Sequence, residues 1–226
     1  VSSVHPEKTT GEFAVTRLMA FIKECGCEGG DITIKSDQEP VMVAMMERLC
    51  LERAKKGAVR TNVGHSHKYH SQSNGIVERG IQAVEGQMRT MRSALEEKLG
   101  VKLHYQPAVW TWWAEYSSFL MNRQEVGKDG KTAYERCKGK KGKVYGIEFG
   151  EKVLWKRRAV GGGLGKLSCL WEDAIFLGVK ETTGEFIVGD GKEIHRTRTV
   201  MRRPKEERWH ADNLKLIAGV PWGRGK

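Results

Sequence analysis

The chain has 226 residues, with 39 Lys and Arg against 28 Asp and Glu for a formal net charge of +11, and 39% of its residues are hydrophobic. That is enough apolar material for one large core or two modest ones. No apolar run approaches the roughly 18 residues needed to cross a bilayer, so a membrane-spanning segment is excluded.

The positive charge is unevenly placed. Residues 1 to 130 carry 17 Lys and Arg against 16 Asp and Glu, and the remainder carries 22 against 12. A near-neutral first part with a basic appendage is the charge pattern of a nucleic-acid-binding protein, although a merely solvated surface has the same composition. The five Cys, Cys25, Cys27, Cys50, Cys137 and Cys169, are odd in number and widely scattered. This is not the dense framework of a small secreted domain, and it points to a reducing compartment. The opening VSSVHPEKTT has no basic, apolar and small-residue leader, so a nuclear or cytoplasmic chain is expected rather than a secreted one. The first residue being Val rather than Met suggests a chain cut from something longer.

Between Glu12 and Cys25, the residues Val15, Leu18, Met19 and Ile22 recur at helical spacing and predict an amphipathic helix that stops before Gly26. Asp31 to Ser36 alternates like a short strand, and helical spacing resumes at Met42, Met45, Met46 and Leu49. Helix, strand, helix argues for an α/β layer. Val59 to Asn74 is polar and His-rich and reads as a short strand or turn followed by a loop. A long helix follows, its stripe of Val77, Ile81, Val84, Met88, Met91 and Leu95 predicted to face the core for five turns before Gly100. A further helix opens at Pro107, with Val109, Trp112, Trp113, Tyr116 and Leu120 on its buried side.

After the glycine-spaced basic stretch Lys138 to Lys143 the period shortens. Val144 to Trp155, Ala174 to Val179, Glu185 to Val188 and Glu193 to Met201 read as strands separated by glycine turns, and predict a small β-barrel or sandwich. In the last of these runs Arg196, Arg198 and Arg202 have one parity and are expected to share a basic strand face. The segment after Pro204 is weakly patterned.

Two carboxylates stand where chemistry is often placed: Asp37 directly after a strand, and Glu78 in the first turn of the long helix. Converging carboxylates hold Mg²⁺ or Mn²⁺ through hard oxygen ligands, although an Asp after a strand and a Glu near a helix start are also common without any ligand. The run Ser71-Gln72-Ser73-Asn74-Gly75-Ile76-Val77-Glu78-Arg79 resembles the segment of copia-type retrotransposon integrases that ends in the Glu of their metal triad. Collinear with it, Lys35-Ser36-Asp37 resembles the strand end carrying the second triad Asp. Trp113-Ala114-Glu115 with Leu120-Met121-Asn122-Arg123 resembles a later helix of that family, and Lys131-Thr132-Ala133-Tyr134-Glu135 the motif after it. Glu172 to Gly178 resembles a strand of the small β domain that follows those cores.

The resemblance implies an α/β, RNase H-like integrase core lacking its first strands (1–137), a basic linker (138–143), a small β-barrel nucleic-acid-binding domain (144–203) and a tail (204–226). It implies metal-dependent strand transfer of element DNA into target DNA, with Asp37 and Glu78 as catalytic metal ligands. The first triad Asp belongs on an upstream strand, and before Asp37 the chain offers only Asp31, at the start of the same strand. The chain is therefore expected to be a piece of a polyprotein with little activity alone, its missing Asp a partner in an upstream segment. Asp37 is followed by Gln38-Glu39-Pro40 rather than the family's usual Asn-Gly, and 40 residues separate it from Glu78, more than is usual there.

The resemblance also lays the long helix against DNA, with Arg79, Gln82, Arg89 and Arg92 as phosphate contacts. Lys140, Lys141, Lys143, Lys156, Arg157, Arg158, Arg196, Arg198, Arg202 and Arg203 are the candidates for a sequence-independent grip in the C-terminal part. A second copy of the chain is a further candidate partner. His65, His67 and His70, and Cys25 with Cys27, lack paired zinc-ligand spacing, and zinc is not expected. The competing readings are a non-catalytic nucleic-acid-binding remnant of a decayed or host-adopted element and, behind it, a purely protein-tethering module.

Overall fold

The computed structural model describes residues 12–36, 38–57, 60–65, 75–157 and 169–221. Helix α1 (Glu12–Glu24) ends where expected: Gly26 takes φ 77°, its N–H donates to Lys23 O (2.9 Å), and the Cys27 N–H donates to Ile22 O (3.0 Å). These two bonds close the last turn in a Schellman motif. Strand β1 (Ile32–Ser36), helix α2 (Pro40–Lys55) and strand β2 (Thr61–His65) form a β-α-β unit. Its strands are parallel, with Ile32 opposite Thr61 and Ser36 opposite His65. Val15, Met46 and Leu49 make a small core that Ile34 and Val63 cover from the strands. Arg53, only 1% exposed, ties the unit together. It donates from Nε to Thr61 Oγ1 (2.9 Å), from Nη1 to Cys27 O (3.1 Å) and from Nη2 to Gly30 O (2.6 Å).

Helix α3 (Gly75–Leu99) has the expected length but not the expected burial. Leu95 is buried and Met88 and Met91 pack beside it, whereas Ile76, Val77 and Ile81 are 85%, 63% and 54% exposed. The stripe therefore reaches the core over the second half of the helix only, because neighbouring helix α4 (Pro107–Gln124) packs there. Val109, Trp112, Trp113 and Tyr116 of α4 are buried as anticipated, Leu120 is half-buried, and Phe119, outside the expected face, is buried as well.

These aromatics pack against an antiparallel sheet made of β3 (Lys152–Lys156), β4 (Trp171–Val179), β5 (Phe186–Gly189), β6 (Ile194–Thr197) and β7 (Val200–Arg202), in the order β6-β5-β4-β3-β7. Tyr116 Oη donates to Ile147 O (3.0 Å), and Trp113 stacks on Phe149 at 5.4 Å. Of the run Val144 to Trp155 only the last four residues are strand, and β3 continues one residue further to Lys156. Leu214 and Ile217, in the weakly patterned tail, join the same core, and Trp112 Nε1 donates to Gly219 O (3.1 Å). Helix α4 and the sheet thus share one core, so the basic stretch 138–143 does not divide the two hydrophobic clusters.

The expected barrel is an open sheet among the described residues, since β6 and β7 are its two edges. It is nevertheless strongly curled. Four inter-strand spacings span about 19 Å in a flat sheet. Thr197 and Val200, on opposite edges, are three residue steps apart, a reach of about 11 Å. The edges converge at this corner, where Thr197 Oγ1 donates to Lys156 O (3.3 Å) and the Lys156 N–H to Thr199 O (3.3 Å). The expected basic face falls at the same place: Arg196 lies on β6, Arg198 in the bend and Arg202 on the opposite edge, so alternation along one strand does not apply to them.

Candidate metal centre and basic surfaces

The parallel register puts the C-terminal ends of β1 and β2 at one edge of their pair. Asp37 follows Ser36 directly but lies outside the described residues, as do His67 and His70. Glu78 is the fourth residue of α3, exposed, in the first turn, where the helix dipole favours negative charge. It forms no ion pair among the described residues. Among the described residues no group of three or more His, Cys, Asp and Glu is arranged to hold a metal ion. Cys25 and Cys27 are exposed free thiols.

On the long helix, Gln82 is exposed, Arg79 donates to Gly75 O of its own helix (3.3 Å), and Arg89 stands 3.8 Å from Glu85. Arg92 is committed to the fold. It donates from Nε to Glu96 Oε1 (2.8 Å) and from Nη2 to Leu103 O (2.7 Å), and it lies over the Trp110 ring at 5.4 Å. These bonds bind α3 to the chain leading into α4.

The C-terminal cations separate into two sets. Arg202 forms a fork with the buried Glu151, and Arg203 donates to Asp173 (2.5 Å) and to Glu207 (3.2 Å). Arg157 donates to Glu172 (3.1 Å), and Arg198 Nε is 3.9 Å from Glu185. By contrast, Lys140, Lys141, Lys143, Lys156 and Arg196 are exposed and form no ion pair among the described residues. Arg158 lies outside the description. The acidic partners were invisible in the sequence because Glu151 and Asp173 stand 51 and 30 positions from their arginines.

Two of the motif segments are built into each other. Thr132 and Glu135 form a reciprocal capping box that starts helix α5 (Ala133–Lys138), the Thr132 N–H donating to Glu135 Oε2 (2.7 Å) and the Glu135 N–H to Thr132 Oγ1 (3.2 Å). The Arg123 guanidinium then lies between the Phe119 ring at 4.2 Å and the Tyr134 ring at 3.9 Å. No helix among the described residues is long and apolar enough to cross a membrane. No protein-family model matches the chain, and no curated protein sequence matches it.

Proposed function

We propose that this chain is the later part of a retroelement integrase of the copia type and acts on DNA in the nucleus or cytoplasm. On this reading the β1-α2-β2 unit with α3 is the second half of an RNase H-like core. The curled sheet is the small β domain that follows it, a barrel drawn open.

The observation that carries the nucleic-acid half of the reading is the set Lys140, Lys141, Lys143, Lys156 and Arg196, exposed and without an ion pair among the described residues, in the part of the chain that holds nearly all the excess charge. Such cations release counterions from a phosphate backbone without reading bases. The catalytic half rests on the collinear motifs around Asp37 and Glu78. These two carboxylates would hold the divalent ions, which when bound activate the attacking oxygen and stabilise the leaving one in phosphodiester transfer. Two features support an upstream segment bearing a third carboxylate. β1 pairs only with β2 among the described residues, and Ile76, Val77 and Ile81 beside Glu78 are apolar and uncovered.

The test is strand transfer on a labelled duplex with Mg²⁺ or Mn²⁺, using this chain and a longer one carrying the upstream reading frame. The chain alone is expected to give little or no product, and the longer chain metal-dependent product that Glu78→Gln abolishes. Robust activity of the short chain, abolished by Glu78→Gln, overturns the assignment of an incomplete triad. A longer chain that binds DNA without any metal-dependent product favours the second reading, a non-catalytic nucleic-acid-binding remnant, which the unpaired cation set alone suffices to support.

A further inference from the structure

A cleft of about 800 Å³ opens between α1, α4 and the sheet, closed at one side by the chain at Ala218–Pro221. Its lining carries five Lys and Arg side chains and three Glu. Four of these charged groups come from elements far apart in sequence: Arg17 on α1, Glu115 on α4, Lys180 just after β4 and Arg196 on β6. The floor is aromatic, with Trp112 and Trp155 among the lining residues.

The cations in this cleft are incompletely served by the protein. Arg17 Nε is buried with no hydrogen-bond partner among the described residues, and so is Trp155 Nε1. Burial pushes the Lys180 ammonium below its ordinary value, and the like charges of Arg17 and Arg196 add to the effect. Glu115 is the counter-charge: burial pushes its carboxyl up, while Arg17 and Lys180 pull it down. Gathering like charges in a concave, partly desolvated place is unfavourable for the empty protein, and an entering anion relieves it.

We propose that this cleft seats a phosphodiester segment of a nucleic-acid strand, with Arg17, Lys180 and Arg196 as its phosphate contacts and Glu115 as the carboxylate that holds them when no strand is bound. The inference rests on the nucleic-acid reading above and adds to it a second contact region, which shares Arg196 with the exposed cation set and brings in Arg17 and Lys180. Cations along a groove are the usual means of holding a strand without reading its sequence. The volume is that of an ordinary ligand site, so it takes a short stretch of strand and not a duplex.

The experiment is anisotropy titration of a labelled single-stranded oligonucleotide at several salt concentrations. It uses the full chain, Arg17→Gln with Lys180→Gln, and Glu115→Gln, each checked for an unchanged thermal transition. The double variant is expected to lower the slope of log affinity against log salt by about 1.4, at about 0.7 per phosphate on a single strand. Glu115→Gln is expected to tighten binding about fivefold by removing a competing carboxylate, a gain that misfolding cannot produce. Unchanged slope and affinity in both variants, while Lys140→Ala with Lys141→Ala and Lys143→Ala still weakens binding, overturns the cleft and leaves the nucleic-acid reading standing. No binding by the unsubstituted chain at low salt overturns both. Inorganic phosphate at millimolar concentration that abolishes the effect of Glu115→Gln without displacing the oligonucleotide assigns the cleft to free phosphate and also overturns the proposal.

Discussion

Arg202 and Glu151 face each other in a two-point ion pair: Nε donates to Oε1 at 2.6 Å and Nη2 to Oε2 at 2.8 Å, and the carboxylate is fully buried. Arg208 Nε stands 3.4 Å from the same carboxylate, and the Glu148 N–H donates to it at 3.2 Å. A side chain that reads as a phosphate contact is thereby a support of the sheet. Arg202→Ala is expected to destabilise the chain by about 2 kcal/mol, because it strips a partner from a buried charge. The salt slope of nucleic-acid binding should stay where it is. Denaturant unfolding and salt-dependent titration of the same variant check both halves.

Lys140, Lys141 and Lys143 should behave in the opposite way. Replacing all three by Ala is expected to change stability by less than about 0.5 kcal/mol, as for surface substitutions without partners. It should lower the slope of log affinity against log salt by about 2.7 for duplex DNA. An unchanged slope removes these lysines from the interface.

Helix α3 makes a prediction at each end. Leu95→Ala is expected to cost about 2 to 5 kcal/mol, since it empties a core position. Ile81→Asn, on the same stripe nearly four turns toward the N-terminus, should be near neutral in this chain because the side chain is exposed. In a chain extended upstream, Ile81→Asn should become destabilising when the added segment covers that face, and thermal unfolding of the two lengths side by side measures the difference.

Glu96 links stability to pH. Hydrogen bonds from Lys102, the Leu103 N–H and Arg92 hold its carboxyl at about 2, below the usual range. A carboxylate whose value is lowered on folding contributes stability that is fully present above its unfolded value near 4.3 and is lost as pH falls toward about 2. Glu96→Gln should therefore be less stable than the unsubstituted chain at pH 7, and the gap should narrow between about pH 5 and about pH 2 in an acid titration of stability.

The local pattern of residues was enough to place the four longer helices and most strands, but not α5 or the break between β6 and β7. Apolar spacing located α1, α2, α3 and α4, alternation located β1, a short apolar run located β4, and Gly26 stops α1 because only a residue tolerant of positive φ closes that turn easily. Those are properties of chain segments a few turns long, so they are written in neighbouring residues. What a segment finally faces is not. The apolar residues of α3 obey one period throughout, yet only the half that meets α4 is buried, and the unpatterned tail supplies Leu214 and Ile217 to the core. The break between β6 and β7 at Arg198 and Thr199 follows from the curl of the whole sheet, which brings its two edges to one corner. The division of the basic residues is also tertiary: a guanidinium is available to a phosphate only when no carboxylate from a distant strand has reached it first. The charge pattern along the chain located a basic region, and the folded arrangement left Lys140, Lys141, Lys143, Lys156 and Arg196 exposed and without an ion pair among the described residues, while Arg202 and Arg203 hold the sheet together.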